Sequence, residues 1–156
     1  MNKLFLLVGM LLSQVLIGQQ ARFLSFELAG SGGIASFNYE KYFHSSKYNS
    51  VYYRIGFSLA PIDRNNGTAL VFPLMVHTNI GLKAHKLDLG IGQTVSITTK
   101  GHIFFMLPLS MGYRFQPDNK RHYWRIAYTP IVSYLIDFQW QHWAGITYGL
   151  QLSSKK

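Results

Sequence analysis

The sequence predicts an all-β protein: a single antiparallel up-and-down transmembrane β-barrel of eight strands. Three observations carry this. Large apolar residues alternate with small or polar ones along almost the whole chain beyond residue 18, and the alternation restarts eight times behind turn-forming residues. Only 13% of the residues are charged, about half the ~25% usual for soluble domains, so something other than water must cover much of the surface.

Successive residues of a strand point to opposite faces, so each alternating segment has one apolar and one mixed surface. The first strand, residues 22–29, sets Leu24, Phe26 and Leu28 outward against Phe23, Ser25 and Glu27. Gly30-Ser31-Gly32-Gly33 then turns the chain. The second, 34–43, puts Ala35, Phe37, Tyr39 and Phe43 outward and Ser36, Asn38, Glu40 and Tyr42 inward, and returns through residues 44–49. The third, 51–61, alternates Val51, Tyr53, Ile55, Phe57 and Leu59 with Tyr52, Arg54, Gly56, Ser58 and Ala60, before the polar loop 63–67.

The fourth strand, 68–83, is the plainest: Leu70, Phe72, Leu74, Val76, Ile80 and Leu82 share one face, and Ala69, Pro73, Met75, His77, Asn79, Gly81 and Lys83 the other. A short turn at Ala84-His85 leads to a fifth with Leu87, Leu89, Ile91, Val95 and Ile97 outward and Asp88, Gly90, Gly92, Thr94 and Ser96 inward. After Lys100-Gly101 the sixth, 102–116, sets Ile103, Phe105, Leu107, Leu109, Met111, Tyr113 and Phe115 against Phe104, Met106, Ser110, Gly112, Arg114 and Gln116. Pro117-Asp118-Asn119-Lys120 is a turn by composition. The seventh, 121–133, places Trp124, Ile126, Tyr128 and Val132 outward and Tyr123, Arg125, Ala127, Thr129 and Ile131 inward. A longer loop with Tyr134, Asp137, Phe138, Trp140 and His142 precedes the eighth strand, 143–152, with Ile146, Tyr148, Leu150 and Leu152 outward.

Roughly ten residues per strand suit a tilted crossing of a bilayer, and an even strand count is the bacterial pattern. A soluble lipocalin-type barrel would turn its apolar face inward and show the other face to water. Here the second face is Gly, Ser, Ala, Thr and Asn with few charges, which packs a narrow lumen well and lacks the Lys and Glu that keep soluble proteins apart.

Met1-Asn2-Lys3 and the mostly apolar run 4–17 read as a secretory signal peptide over residues 1–18, too short for the ~20 apolar residues of a spanning helix. The barrel domain then occupies residues 19–156. With no cysteine, a lipid-anchored cysteine, a disulfide framework and cysteine-ligated metal are all excluded. A net charge of +9 invites nucleic acid as a partner, yet no basic stripe or Gly-rich phosphate loop accompanies it. Arg22, Lys41, Lys47, Lys83, Lys86, Arg114, Lys120, Arg121, Lys155 and Lys156 instead fall near the strand ends that carry the short return turns, where lipid headgroups account for them.

With leader, amphipathic strands and terminal strand in hand, the chain resembles the small eight-stranded outer-membrane proteins of Gram-negative bacteria. The most specific stretch is Trp143-Ala144-Gly145-Ile146-Thr147-Tyr148-Gly149-Leu150, similar to the C-terminal signal read by the barrel-assembly machinery: Gly145, then Tyr148 and Leu150 three and five positions on. Ser153-Ser154-Lys155-Lys156 follows in place of a terminal aromatic. The resemblance implies an integral outer-membrane location, membrane lipids and the assembly machinery as partners, a monomer, and no cofactor.

Candidate chemistry is sparse. Glu27, Glu40 and Asp88 share the predicted lumen with Arg54, Arg114 and Arg125, and buried charges must pair; Glu27 and Glu40 are expected beside Arg54 and Arg125. The six histidines have no metal-ligand spacing, and no catalytic or metal residue is assigned. Pro61, Pro73, Pro108 and Pro130 lie in or at the ends of strands, where each removes a ladder donor. They shape the rim, or weaken a lateral seam of the kind through which lipid A palmitoyltransferase-type barrels admit an acyl chain, although that family's arrangement of His, Asp and Ser is not recognisable here. The sequence therefore favours a non-enzymatic envelope protein with a filled lumen and a structural or surface-binding role. A lipid-modifying enzyme using His77, or His102, Asp137 and His142, is the alternative, and a ligand-binding loop around Tyr134, Phe138, Trp140 and Trp143 a third reading. N-terminal sequencing of the protein recovered from membranes tests the leader: Gln19 is the expected first residue, and retention of Met1 would contradict cleavage.

Overall fold

The strands predicted by alternation are the strands of the computed structural model, which describes residues 21–63, 67–133 and 138–153. The expected leader, Tyr134, Asp137, Lys155 and Lys156 lie outside the described residues. β1 (Arg22–Leu28), β2 (Ala35–Ser45), β3 (Asn49–Asp63), β4 (Gly67–Leu82), β5 (His85–Thr98) and β6 (Ile103–Phe115) pair in sequence as antiparallel neighbours. The seventh stave of the barrel consists of β7 (His122–Tyr128) and β8 (Ile131–Ser133), the eighth of β9 (Gln139–Gln141) and β10 (Ala144–Ser153). β10 pairs with β7, Ile146 opposite Ile126, and with β1, Tyr148 opposite Phe26. That last pairing joins the final strand to the first and closes an eight-stranded antiparallel barrel, leaving no open sheet edge along the wall.

Burial is inverted relative to a water-soluble protein. On β4, Leu74 is 52% exposed while the next residue, Met75, is 1% exposed. The same contrast runs round the barrel: Leu24, Phe37, Ile55, Ile91, Met111, Ile126 and Leu150 face outward, and Ser25, Asn38, Arg54, Asp88, Arg114, Arg125 and Thr147 are buried inside. A continuous apolar exterior of this kind is solvated by hydrocarbon, and the strands satisfy their backbone groups with one another as that medium requires. No helix among the described residues is long and apolar enough to cross a membrane.

Exterior aromatic rings gather at two levels. At the end bearing the β2–β3, β4–β5 and β6–β7 turns, Tyr39 meets Tyr53, His85 meets Tyr113 and Phe115, and Tyr148 meets Trp124 and His122. Toward the other end, Phe26 packs on Phe37 and Phe57 on Phe72. Rings with a polar handle suit the headgroup level, and phenylalanine suits the hydrocarbon.

Two expectations need correction. The seventh strand is not continuous: it breaks at Thr129 and Pro130, and Val132, expected to face lipid, is buried. Pro130 brings no N–H to the ladder. Val132 lies opposite Trp140 across β8–β9, with Tyr128 stacked on His142 and Trp140 against His142, so rings cover the outside of the break. Lys83, expected on the inward face, sits exposed in the β4–β5 turn with φ of 53°.

The strand prolines interrupt hydrogen-bonded pairing locally. The β3–β4 ladder passes from Ile55↔Leu74 to Ser58↔Val71, omitting the level of Pro73. The β5–β6 ladder passes from Ile91↔Leu109 to Thr94↔Met106, omitting the level of Pro108. On its other side β6 pairs Met111 with Tyr128 and resumes at Pro108↔Ile131. Pro108 and Pro130 are therefore offset by one residue; Leu109 N–H donates to the Pro130 carbonyl at 2.9 Å. Pro61, opposite Thr68, lies at the end of β3. β6 thus has interrupted pairing on both flanks over residues 107–110. Amide hydrogen exchange in micelles is expected to be faster at residues 107–110 and 129–131 than at residues 111–115 and 123–126; equal protection would show that the prolines leave the wall uniformly stable.

Candidate functional site: the charged lumen

Inward parity brings one carboxylate each from β1, β2 and β5 into the lumen with one guanidinium each from β3, β6 and β7. All six side chains are buried. Glu27 accepts from Arg54 Nη2, from Arg125 Nη2 at 3.3 Å, and from the hydroxyls of Ser31, Ser36 and Thr147 at 3.3, 3.4 and 3.3 Å. Glu40 accepts from Arg114 Nη1 at 3.1 Å, from Ser25 Oγ at 3.2 Å and from the Tyr123 hydroxyl. Asp88 accepts from the Tyr52 hydroxyl at 2.5 Å, while His77 Nδ1 lies 2.9 Å and Arg125 Nη1 3.5 Å from its Oδ1.

These contacts form one connected network. Arg125 bridges Glu27 and Asp88, and Arg114 with Tyr52 links Glu40 to Asp88, since Arg114 Nη1 also donates to Tyr52 Oη at 3.1 Å. Three carboxylates against three guanidiniums cancel in formal charge. The expectation that both glutamates would share Arg54 and Arg125 holds in geometry for Glu27 only; the direct partner of Glu40 is Arg114. Arg114 was also expected among the headgroup-facing cations, and it is inside: its cross-strand partner Lys86 is half-buried, whereas Arg114 is fully buried in the lumen.

Sequence parity alone did not single out the rings that hold this network. The Arg114 guanidinium lies 3.3 Å from the Tyr123 ring centroid and 5.1 Å from that of Tyr52, a cation–π packing that stabilises a desolvated cation. Tyr52 stacks on both Tyr42 and His77, at 4.9 Å in each case. Two inward glycines make room: a Cβ at Gly149 would overlap the Tyr123 ring, and one at Gly90 the His77 imidazole. The signal available in the sequence was the coincidence of inward tyrosines with inward glycines, which a narrow barrel needs for large side chains to fit.

The network is built to hold charges still. His77 and Asp88 form a hydrogen-bonded dyad, but the second ring nitrogen of His77 has no hydrogen-bond partner and both side chains are sealed from solvent. Among the described residues no group of His, Asp or Glu is placed to hold a metal ion. Gly145 faces inward against the Ala29 carbonyl, and Tyr148 and Leu150 face outward. His142 lies on the exterior with its Nδ1 2.5 Å from Tyr128 Oη, and Phe138 and Trp140 are exposed beside it.

The sequence matches no protein-family model and no curated protein. Its fold is that of the N-terminal β-barrel domain of Pseudomonas aeruginosa OprF, with a TM-score of 0.54 at 7% identity over 85% of this chain and 98% of that one. Ail, the attachment invasion locus protein of Yersinia pestis, solved with the heparin analogue sucrose octasulfate, aligns with a TM-score of 0.45 at 11% identity over 85% of this chain and 95% of that one. At 7% identity the likeness to the OprF domain is one of architecture alone, a closed β-barrel.

The network ranks its own members. Arg114→Met leaves Glu40 buried without a cation in direct contact and is expected to destabilise the folded barrel by about 3–5 kcal/mol, whereas Arg54→Met leaves Glu27 on Arg125 and costs less. Glu40→Gln combined with Arg114→Met should recover part of the loss. Urea unfolding from lipid vesicles measures all three; equal losses for the two arginine variants, or a double variant as unstable as the sum of its singles, would show that these charges do not act as pairs.

Proposed function

We propose that this protein is an integral outer-membrane β-barrel without enzymatic activity, serving envelope structure or binding at the cell surface, with a filled lumen in place of an open pore. The observation that supports this most strongly is the combination of an apolar exterior with a charge-balanced interior whose six ionic side chains are spent on one another. A lumen so filled leaves no diffusion path, as is usual for eight strands. The exposed rings of Phe138 and Trp140 at the β8–β9 end are the surface-binding candidates. The assignment to the outer membrane rests on the barrel architecture and on the leader expected from the sequence.

A second reading is favoured by one observation, the interrupted pairing on both sides of β6. Lateral entry of an acyl chain there would serve a lipid-modifying enzyme. His77 is sealed inside the barrel, so His102 and His142 near the rim are the candidates for such a role. Mass spectrometry of lipid A and phospholipids from cells with and without the gene separates the two: an unchanged acyl pattern supports the non-enzymatic role, and a changed one the enzyme.

Orientation follows from the first strand entering from the periplasm. The connections at residues 63–67, 100–101 and 137–142 would then face outward and residues 117–120 the periplasm. In intact cells a single cysteine at Lys100 should react with an impermeant maleimide and one at Asn119 should not; the reverse pattern would invert the barrel. Boiling should slow or speed the gel migration of the detergent-extracted protein relative to the unboiled form, and full solubility of the mature chain without detergent would contradict a membrane barrel.

A further inference from the structure

We propose that the barrel mouth at the β6–β7 turn end is a binding site for a phosphate ester of a polyhydroxylated alcohol. A cavity of about 620 Å³ opens there between the β2–β3 turn, the β4–β5 turn and Asp118. That volume falls in the range of ~300–1,000 Å³ usual for small-molecule sites. Lys47, Lys83 and Lys86 line it with Asp118 as the one carboxylate, leaving an excess of two positive charges. The lumen network beneath is neutral, so nothing below the cavity offsets that excess.

The lining is suited to an anion. Its cations are three ammonium groups, mobile point charges of the kind that bind phosphate oxygens. Ser50 and Asn79 lie toward the lumen side, both buried. Asn79 Nδ2 donates to the Tyr42 hydroxyl at 3.0 Å, and its Oδ1 has no hydrogen-bond partner. A hydroxyl of the ligand would supply the missing donor once the Asn79 side chain turns toward the cavity. Lys83 holds its place in the turn at φ of 53°, a conformation that glycine adopts more readily, and its side chain is what glycine would lack. Membrane headgroups such as phosphatidylglycerol and free polyol phosphates share this chemistry. The site does not depend on which end of the barrel faces the periplasm.

The folded barrel in detergent tests the site with two probes: sn-glycerol 3-phosphate by titration calorimetry, and phosphatidylglycerol against phosphatidylcholine by native mass spectrometry. The combined variant Lys47→Gln, Lys83→Gln, Lys86→Gln should weaken binding by about tenfold or more, the arginine equivalents at the same positions should retain it, and Lys120→Gln with Arg121→Gln, outside the cavity, should leave it unchanged. Binding of the soluble ester identifies a solute, and binding of phosphatidylglycerol alone identifies a headgroup; both support the site. Heat-shifted gel migration confirms that each variant is folded. Failure of the wild-type barrel to bind either probe, undiminished binding by the folded glutamine variant, or an equal loss in the Lys120 and Arg121 variant would each overturn the proposal, the last by assigning the affinity to a diffuse basic rim.

Discussion

Every charged group buried in this barrel must find a countercharge inside the wall, because the medium outside the wall offers none. That constraint orders the rest of the structure. The backbone meets the same demand for its own polar groups by closing β10 onto β1. The side chains meet it by arithmetic: three carboxylates and three guanidiniums, each buried, wired into a single network by Arg125 and Arg114. An unpaired charge at any of these positions would cost several kcal/mol, a large share of the stability of a domain this size. The apolar exterior needs no such precision, and its residues are interchangeable in kind.

The tyrosines convert charge pairing into defined geometry. Tyr123 donates to Glu40 while its ring face carries Arg114, so one side chain addresses both halves of an ion pair. Tyr52 does the same between Asp88 and Arg114 and also stacks on His77. Tyr123 occupies space that Gly149 leaves open, and His77, on which Tyr52 stacks, occupies space left by Gly90, which ties the glycines of β10 and β5 to the charges of β1, β2 and β5. A charge variant should therefore disturb ring packing as well as electrostatics, and a ring variant should disturb charge.

Much of this was legible in the sequence. Strand parity is set by a period of two, so once Leu70, Phe72 and Leu74 are placed outward, the burial of Met75 and His77 follows without further information. The membership of the lumen was legible for the same reason. The partner choices were not: parity says that Glu40 and Arg114 point inward, but which guanidinium reaches which carboxylate depends on strand tilt and on the rings between them. The failure at Val132 has a different origin. Alternation presumes a continuous ladder, and at Pro130 the ladder stops, after which β8 follows the ring cluster of Tyr128, Trp140 and His142. The cavity at the barrel mouth was legible only as scattered basic residues; the turns that gather Lys47, Lys83 and Lys86 around one space are distant in sequence.

The two ends of the barrel consequently differ in character. One has short turns, a Tyr, His and Trp girdle and an electropositive mouth, and the other has the interrupted wall near Pro108 and Pro130 and the exposed rings of Phe138 and Trp140. Between them the central claim is the inversion itself, apolar outside and polar within. Spin labels on the two faces of the wall, one on β4 and one on β6, test it directly in lipid vesicles. A label at Leu74 should relax with oxygen, which partitions into hydrocarbon, and be insensitive to a water-soluble nickel complex, while a label at Ser110 in the lumen should be shielded from both. Strong relaxation of the Leu74 label by the nickel complex would show that this face meets water and would contradict the account.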